Sequence, residues 1–229
     1  MPPGDRLATC PTSACSSIVL WINGKEDGLS AELAQIAREV SVCTACALHR
    51  SRLKAVPGEG PDNAAIMFIG EAPGWHENQQ GRPFVGPAGQ FLEELLASIG
   101  MRRDQTFIAN VVKCRPPENR DPLPDEIKTC EPYLDRQIAL IKPKLIVTLG
   151  RYSMAKFFPK ETISKIHGLA RRRGDFVVLA LYHPAAALHQ PRYKADIEAD
   201  FKKIPQLLAE AAKVEAAPIE EAPAQLSLF

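Results

Sequence analysis

The chain has 229 residues, enough for one large domain or two small ones. Hydrophobic residues make up 45% and charged residues 24%, a globular composition, and a formal net charge of +1 excludes a strong global field toward nucleic acid or membrane. No run approaches the roughly 20 apolar residues that cross a bilayer, and no secretory signal opens the chain, so a cytoplasmic, nucleoid-associated protein with reduced thiols is expected.

Residues 1–28 show no clear period; they carry Cys10, Cys15 and the apolar stretch Ile18–Ile22, and the two cysteines read as plain thiols. Ser30 is a helix N-cap type, and Leu33, Ile36, Ala37 and Val40 then fall on one face, which predicts a helix over 30–40 leading into Cys43 and Cys46. Four short apolar runs follow: Ala65–Ile69, Thr106–Val112, Leu145–Leu149 and Phe176–Leu181. They are β-branched or aromatic and nearly unbroken, the pattern of strands buried on both faces. Helical stretches separate them at Pro87–Ile99, Pro124–Ile141 and Arg151–Phe158, and a last long helix is expected over Tyr193–Val214. The alternation predicts a three-layer α/β/α domain over 29–214, with a central, mostly parallel four-stranded sheet. From 215 the chain is rich in Ala, Pro and Glu and reads as a flexible tail with a short apolar end.

Open parallel sheets bind ligands beyond the carboxyl ends of their strands. Here the first strand runs into Gly70-Glu71-Ala72-Pro73-Gly74, the second carries Asn110 and ends at Lys113-Cys114, the third ends at Gly150-Arg151, and the fourth at Tyr182-His183-Pro184. Each polar residue alone has a plain structural reading, but a carboxylate, an amide and an imidazole at equivalent strand ends define a site. Cleavage of an N-glycosidic bond suits those types. A carboxylate stabilises an oxocarbenium-like sugar or orients water, and a histidine stabilises the departing base. An asparagine amide offers N–H to uracil O4 and C=O to uracil N3–H, the reverse of what cytosine requires, so a fixed amide rejects cytosine although a flipped one would accept it.

Of six cysteines, Cys43, Cys46, Cys114 and Cys130 have metal-ligand spacing. Four thiolates suit tetrahedral zinc or a 4Fe-4S cluster, and spacing alone does not choose.

Several segments resemble the type 4 uracil-DNA glycosylases, the iron–sulfur branch of the uracil-DNA glycosylase superfamily. They are Gly70–Gly74 with Glu77, Gly81–Gly89, Asn110–Arg120, Pro122–Glu126 and His183–Ala186, together with the four cysteines. The resemblance implies an enzyme that flips deoxyuridine out of DNA and hydrolyses its glycosidic bond, leaving an abasic site for base excision repair. It implies that Cys43, Cys46, Cys114 and Cys130 hold a 4Fe-4S cluster. Glu71 would lie near the sugar and the attacking water, and His183 would stabilise the leaving base. Glu77 would close the pocket against the 5-methyl of thymine, Phe84 would stack on uracil, and Asn110 would read its edge. Backbone N–H groups of Ala72 and Gly74 would line the pocket. The alternative is a non-catalytic or slowly turning over uracil-DNA binding protein recruited to the sliding clamp. Arg115–Arg120 has the form of relatives that turn over rather than trap DNA.

Two stretches depart from the family pattern, Trp75-His76 and Ala187-Leu188-His189-Gln190-Pro191. Leu188 is the candidate wedge for the vacated base stack, with a core leucine as the other reading. Arg115 and Arg120 are placed for DNA contact. Arg171, Arg172 and Arg173 read either as phosphate contacts or as a solvated hairpin turn. Gln225, Leu226, Leu228 and Phe229 resemble the peptide by which bacterial repair proteins bind the β sliding clamp, against the alternative of an inert terminus. A monomer is expected.

Overall fold

The structure is a computed structural model that describes residues 26–215. Cys10, Cys15, Gln225, Leu226, Leu228 and Phe229 lie outside the described residues. Helix α1 (Glu26–Val42) begins before the expected N-cap: Ser30 sits inside it, and its hydroxyl donates to Asp62 Oδ2 at 2.7 Å.

Strands β1 (Ile66–Gly70), β2 (Phe107–Asn110), β3 (Leu145–Leu149) and β5 (Phe176–Leu181) form the parallel sheet expected from the apolar runs. Among the described residues the sheet has five strands, not four, and with β4 at Ala170–Arg173 the order is β2-β1-β3-β5-β4. The fifth, β4 (Ala170–Arg173), pairs antiparallel with β5 on the edge. Its three consecutive arginines hide it from an apolar-run reading, although charge on an edge strand is a common guard against pairing with other chains.

Side chains of period two fill both faces. Met67, Ile69, Ala109, Ile146 and Val178 pack against Leu134 and Ile141 of α4 (Pro124–Ile141) and Met154 of α5 (Arg151–Phe157). Ile66, Phe68, Val147 and Leu179 pack against Leu92 and Leu95 of α3 (Pro87–Ser98) and Phe201 of α8 (Arg192–Phe201). The remaining helices are α2 (Trp75–Gln80), α6 (Ile163–Ile166), α7 (Pro184–His189) and α9 (Ile204–Glu215). The long C-terminal helix expected from Tyr193 is thus two helices. Pro205 lacks the N–H that a continuous helix would bond to Phe201, and the break falls just before it.

From β1 the chain moves outward to β2 and returns past β1 to β3. The strand order therefore reverses beside β1, and this switch point is where an open α/β sheet leaves a crevice at its carboxyl edge.

Candidate active site and cysteine centre

A cleft of ≈ 650 Å3 occupies that edge. Glu71, Ala72, Gly74, Glu77, Phe84, Asn110 and His183, the residues expected around base and sugar, all line it.

Gly70, the last residue of β1, lies in register with Asn110, the last of β2. A Cβ at Gly70 would come within 2.7–2.8 Å of the Phe84 ring and closer still to Asn110 Oδ1, so amide and ring meet across the bare glycine. Asn110 is buried, and its Oδ1 has no hydrogen-bond partner among the described residues. A buried unpaired acceptor costs about 1–3 kcal/mol, which a ligand donor would recover. The Phe84 and His183 rings lie 5.5 Å apart, 25° from parallel.

Phe84 holds a left-handed backbone (φ 50°), rare for an aromatic residue. Its surroundings impose it. Arg103 donates from Nη1 to Phe84 O at 2.9 Å and from Nη2 to Pro83 O. Gly89 backs onto the same carbonyl, where a Cβ would collide. Glu77 accepts Val85 N at 2.8 Å, Gly86 N at 2.9 Å and Gly74 N at 3.1 Å. Both Glu77 oxygens are thus engaged by backbone N–H groups, and its visible work is to hold the Phe84 loop.

His183 precedes α7, and its Nδ1 accepts from Ala185 N at 3.1 Å. In the neutral ring this leaves the proton on Nε2 as a free donor. Burial pulls the imidazole down to about 4, against the opposing charge of Glu77, so the ring is neutral at physiological pH. Glu71 moves the other way: burial first, then the charge of Asp121, pushes it up to about 7, while Arg151 works against them. Asp121 and Arg151 form an ion pair, and both line the cleft.

Cys43, Cys46, Cys114 and Cys130 are free thiols around a second cavity, behind β2, with Arg52, Lys113 and Tyr133. Arg52 Nη1 donates to Cys114 Sγ at 3.1 Å and Lys113 N to Cys130 Sγ at 3.3 Å. Burial pushes the Cys130 thiol up to about 11, against the nearby Lys113. Among the described residues no three His, Cys, Asp or Glu side chains gather closely enough to hold a single metal ion.

Arg120 lines the cleft and pairs with Glu126 at 2.7 Å; Arg115 donates to Asn119 Oδ1 at 2.7 Å beside it. Arg171, Arg172 and Arg173 do not line it. They form a strand rather than a hairpin turn, and its antiparallel register carries them from Leu179 back toward Phe176, away from the carboxyl edge. Arg171 and Arg173 lie over the Phe158 ring, and Arg171 pairs with Glu161 at 3.0 Å. Leu188 is 51% exposed on α7, which removes the core-leucine reading, and Trp75 at the start of α2 is 53% exposed. Sequence reasoning gave no role to Gly70, Arg103, Lys113, Asp121 or Arg151. Gly70, Lys113 and Arg151, placed at strand ends, carried a positional signal; Arg103 and Asp121 carried none.

A switch-point cleft lined by an amide, an aromatic ring, an imidazole and a carboxylate makes this an α/β protein with a ligand site at the carboxyl edge of its sheet. Residues 57–208 match the family model described as "Uracil DNA glycosylase superfamily". The chain is 51% identical over 185 residues to the type-4 uracil-DNA glycosylase of Sulfurisphaera tokodaii, covering 76% of this chain and 84% of that one. It is 48% identical to the type-4 uracil-DNA glycosylase of Archaeoglobus fulgidus (76% and 92% covered) and 45% identical to that of Thermotoga maritima (69% and 84%). The chain belongs to the uracil-DNA glycosylase superfamily.

Proposed function

We propose that this protein is a uracil-DNA glycosylase of the type-4 kind, which takes a deoxyuridine extruded from DNA and hydrolyses its N-glycosidic bond. The observation that carries this reading is the buried, unpartnered Oδ1 of Asn110 set against the Phe84 ring. Uracil N3–H supplies the donor that Oδ1 lacks, Phe84 offers its ring face, and the amide N–H reaches uracil O4. As the bond breaks, charge builds on the base, and His183 donates from Nε2 to uracil O2. The neutral ring carries its one proton on Nε2 for this bond, because Nδ1 already accepts from Ala185 N. The ionised Glu71 faces the sugar, where it stabilises the oxocarbenium-like centre and orients water. Ala72 and Gly74 line the same pocket, but the Gly74 N–H, expected to face the base, is taken by Glu77; Glu77, through the Phe84 loop, sets the pocket's limit toward a 5-methyl group.

The four cysteines are proposed to hold a 4Fe-4S cluster. The donor set is all thiol, and the four cysteines line one cavity, as the ligands of a single cluster would. Bound, the cluster supplies structural support for the loop after Asn110; hydrolysis of the bond transfers no electrons. Cys130→Ala is expected to remove iron and visible absorbance and to lower the thermal midpoint by on the order of 10 °C. Stoichiometric zinc without iron in anaerobically purified protein would reverse the assignment.

Arg120 lines the cleft, Arg115 bonds the cleft residue Asn119, and the exposed Leu188 precedes the cleft residue His189; the three are proposed to meet DNA, Leu188 as the wedge for the vacated stack. Residues 29–214 act as one catalytic unit, with 1–28 an extension and 215–229 a tail that docks on the sliding clamp through Gln225–Phe229. The enzyme is proposed to work as a cytoplasmic monomer.

A uracil-containing oligonucleotide tests the activity. Iron-loaded protein is expected to generate alkali-sensitive sites and free uracil, and Asn110→Ala and His183→Ala each to lose about 100- to 1000-fold in rate. Tight retention of the oligonucleotide with no free uracil would mean a binding module instead.

A further inference from the structure

Lys113 is 1% exposed, an unusual place for an ammonium group, because burying a charge without partners is expensive. Its partners show what it does. Nζ donates to the backbone carbonyl of Asn110 at 2.9 Å and to Gln137 Oε1 at 2.8 Å. Gln137 in turn donates from Nε2 to Pro57 O at 2.8 Å, and Val56 N closes the ring onto Lys113 O at 2.7 Å.

The backbone explains why a side chain is needed there. Two residues earlier, Ile108 pairs antiparallel with Glu59: Glu59 N donates to Ile108 O at 2.9 Å and Ile108 N to Glu59 O at 2.7 Å. Extending that pairing by two residues on each strand brings Pro57 opposite Asn110. Proline has no N–H, so the Asn110 carbonyl has no backbone donor from that side. The Lys113 ammonium takes the place of the missing N–H, and Gln137 links it to the proline carbonyl. The residue so clamped is the one whose side chain carries the orphaned acceptor.

We propose that Lys113 is a positioning residue for base recognition, holding the Asn110 main chain so that the side-chain oxygen meets the N3–H of the flipped pyrimidine. This rests on the reading of Asn110 given above. A hydrocarbon at position 113 would leave the Asn110 peptide free to shift, and small displacements in such sites cost large factors in rate.

The test compares two oligonucleotides, one carrying deoxyuridine and one carrying its 3-deaza analogue, in which C–H replaces N3–H. Wild-type protein should prefer the first. Lys113→Met should lower kcat/KM on deoxyuridine by about 100-fold. It should affect the analogue far less, narrowing the preference by about tenfold, because the analogue never used the Asn110 acceptor. If Lys113→Met does not fold, Lys113→Met/Gln137→Leu removes both halves of the buried pair and is read the same way. Equal losses on both substrates, with the preference unchanged, would mean that Lys113 only supports the fold and would overturn the proposal. Wild-type protein that releases no uracil would overturn the activity itself, and this inference with it.

Discussion

Gly70→Ala is expected to cut kcat/KM on uracil-containing DNA by about 100-fold or more while leaving a folded protein. The added Cβ would sit 2.7 and 2.8 Å from two Phe84 ring carbons and closer still to Asn110 Oδ1, so something must move. Phe84 has little freedom. Its left-handed backbone is fixed by Arg103 on its carbonyl, by Gly89 behind it and by Glu77 on the next two N–H groups. Asn110 has as little, since its main chain lies in β2 and its carbonyl is bonded to Lys113. The strain therefore falls on the space meant for the base. Overpacking of this size costs about 1–3 kcal/mol, a few degrees of thermal midpoint for a domain this large. Gly100→Ala is the control. A Cβ there meets nothing within 4 Å, and the only strain is its φ of +73°, so activity should stay at the wild-type level. Wild-type kcat/KM in Gly70→Ala would mean that uracil binds elsewhere.

What the sequence made legible follows from how each feature is encoded. β1, β3 and β5 are buried on both faces and appear as unbroken apolar runs; Glu71 and His183 stand out just beyond such runs, and Asn110 as the polar residue inside the Thr106–Val112 run, where β2 in fact ends. β4 is an exposed edge of alanine and arginine, with no apolar pattern to find. The site's supports were hidden for another reason, because their meaning lies in distant partners. Lys113 has no assigned role until Gln137, twenty-four residues on, is brought against it. Glu77 reads as a pocket wall until the chain folds back and offers it the N–H groups of Val85 and Gly86. Phe84 was recognisable as an aromatic at the right place, but nothing local announces a left-handed backbone that only Arg103 and Gly89 together enforce. The chemical groups are local features of the sequence; their orientation is a product of tertiary contacts.

Glu71 should make both rate and stability depend on pH, in opposite senses. Its carboxyl is pushed up to about 7 by burial and by Asp121, with Arg151 opposing. If the ionised form does the work, kcat/KM should rise about tenfold per pH unit until about pH 7 and then level off. His183, pulled down to about 4, is already neutral throughout that rise, so the acid limb reports Glu71. Asp121→Asn should move the limb to lower pH, since it removes a charge that raises Glu71 and releases Arg151 from its ion pair. Arg151→Leu should move it higher. Glu71→Gln should lose about 100- to 10,000-fold in rate. Stability runs the other way. The folded carboxyl keeps its proton to about pH 7, whereas the unfolded one loses it near 4.5, so its contribution to stability is full below 4.5 and is lost as pH rises through 7. Glutamine has no proton to lose. The thermal midpoint of Glu71→Gln should therefore gain on wild type as pH rises from about 5 to about 8, the same interval in which wild type gains activity. A wild-type rate that stays flat across that interval, with no shift in Asp121→Asn, would remove Glu71 from the chemistry and leave its buried carboxyl without a purpose.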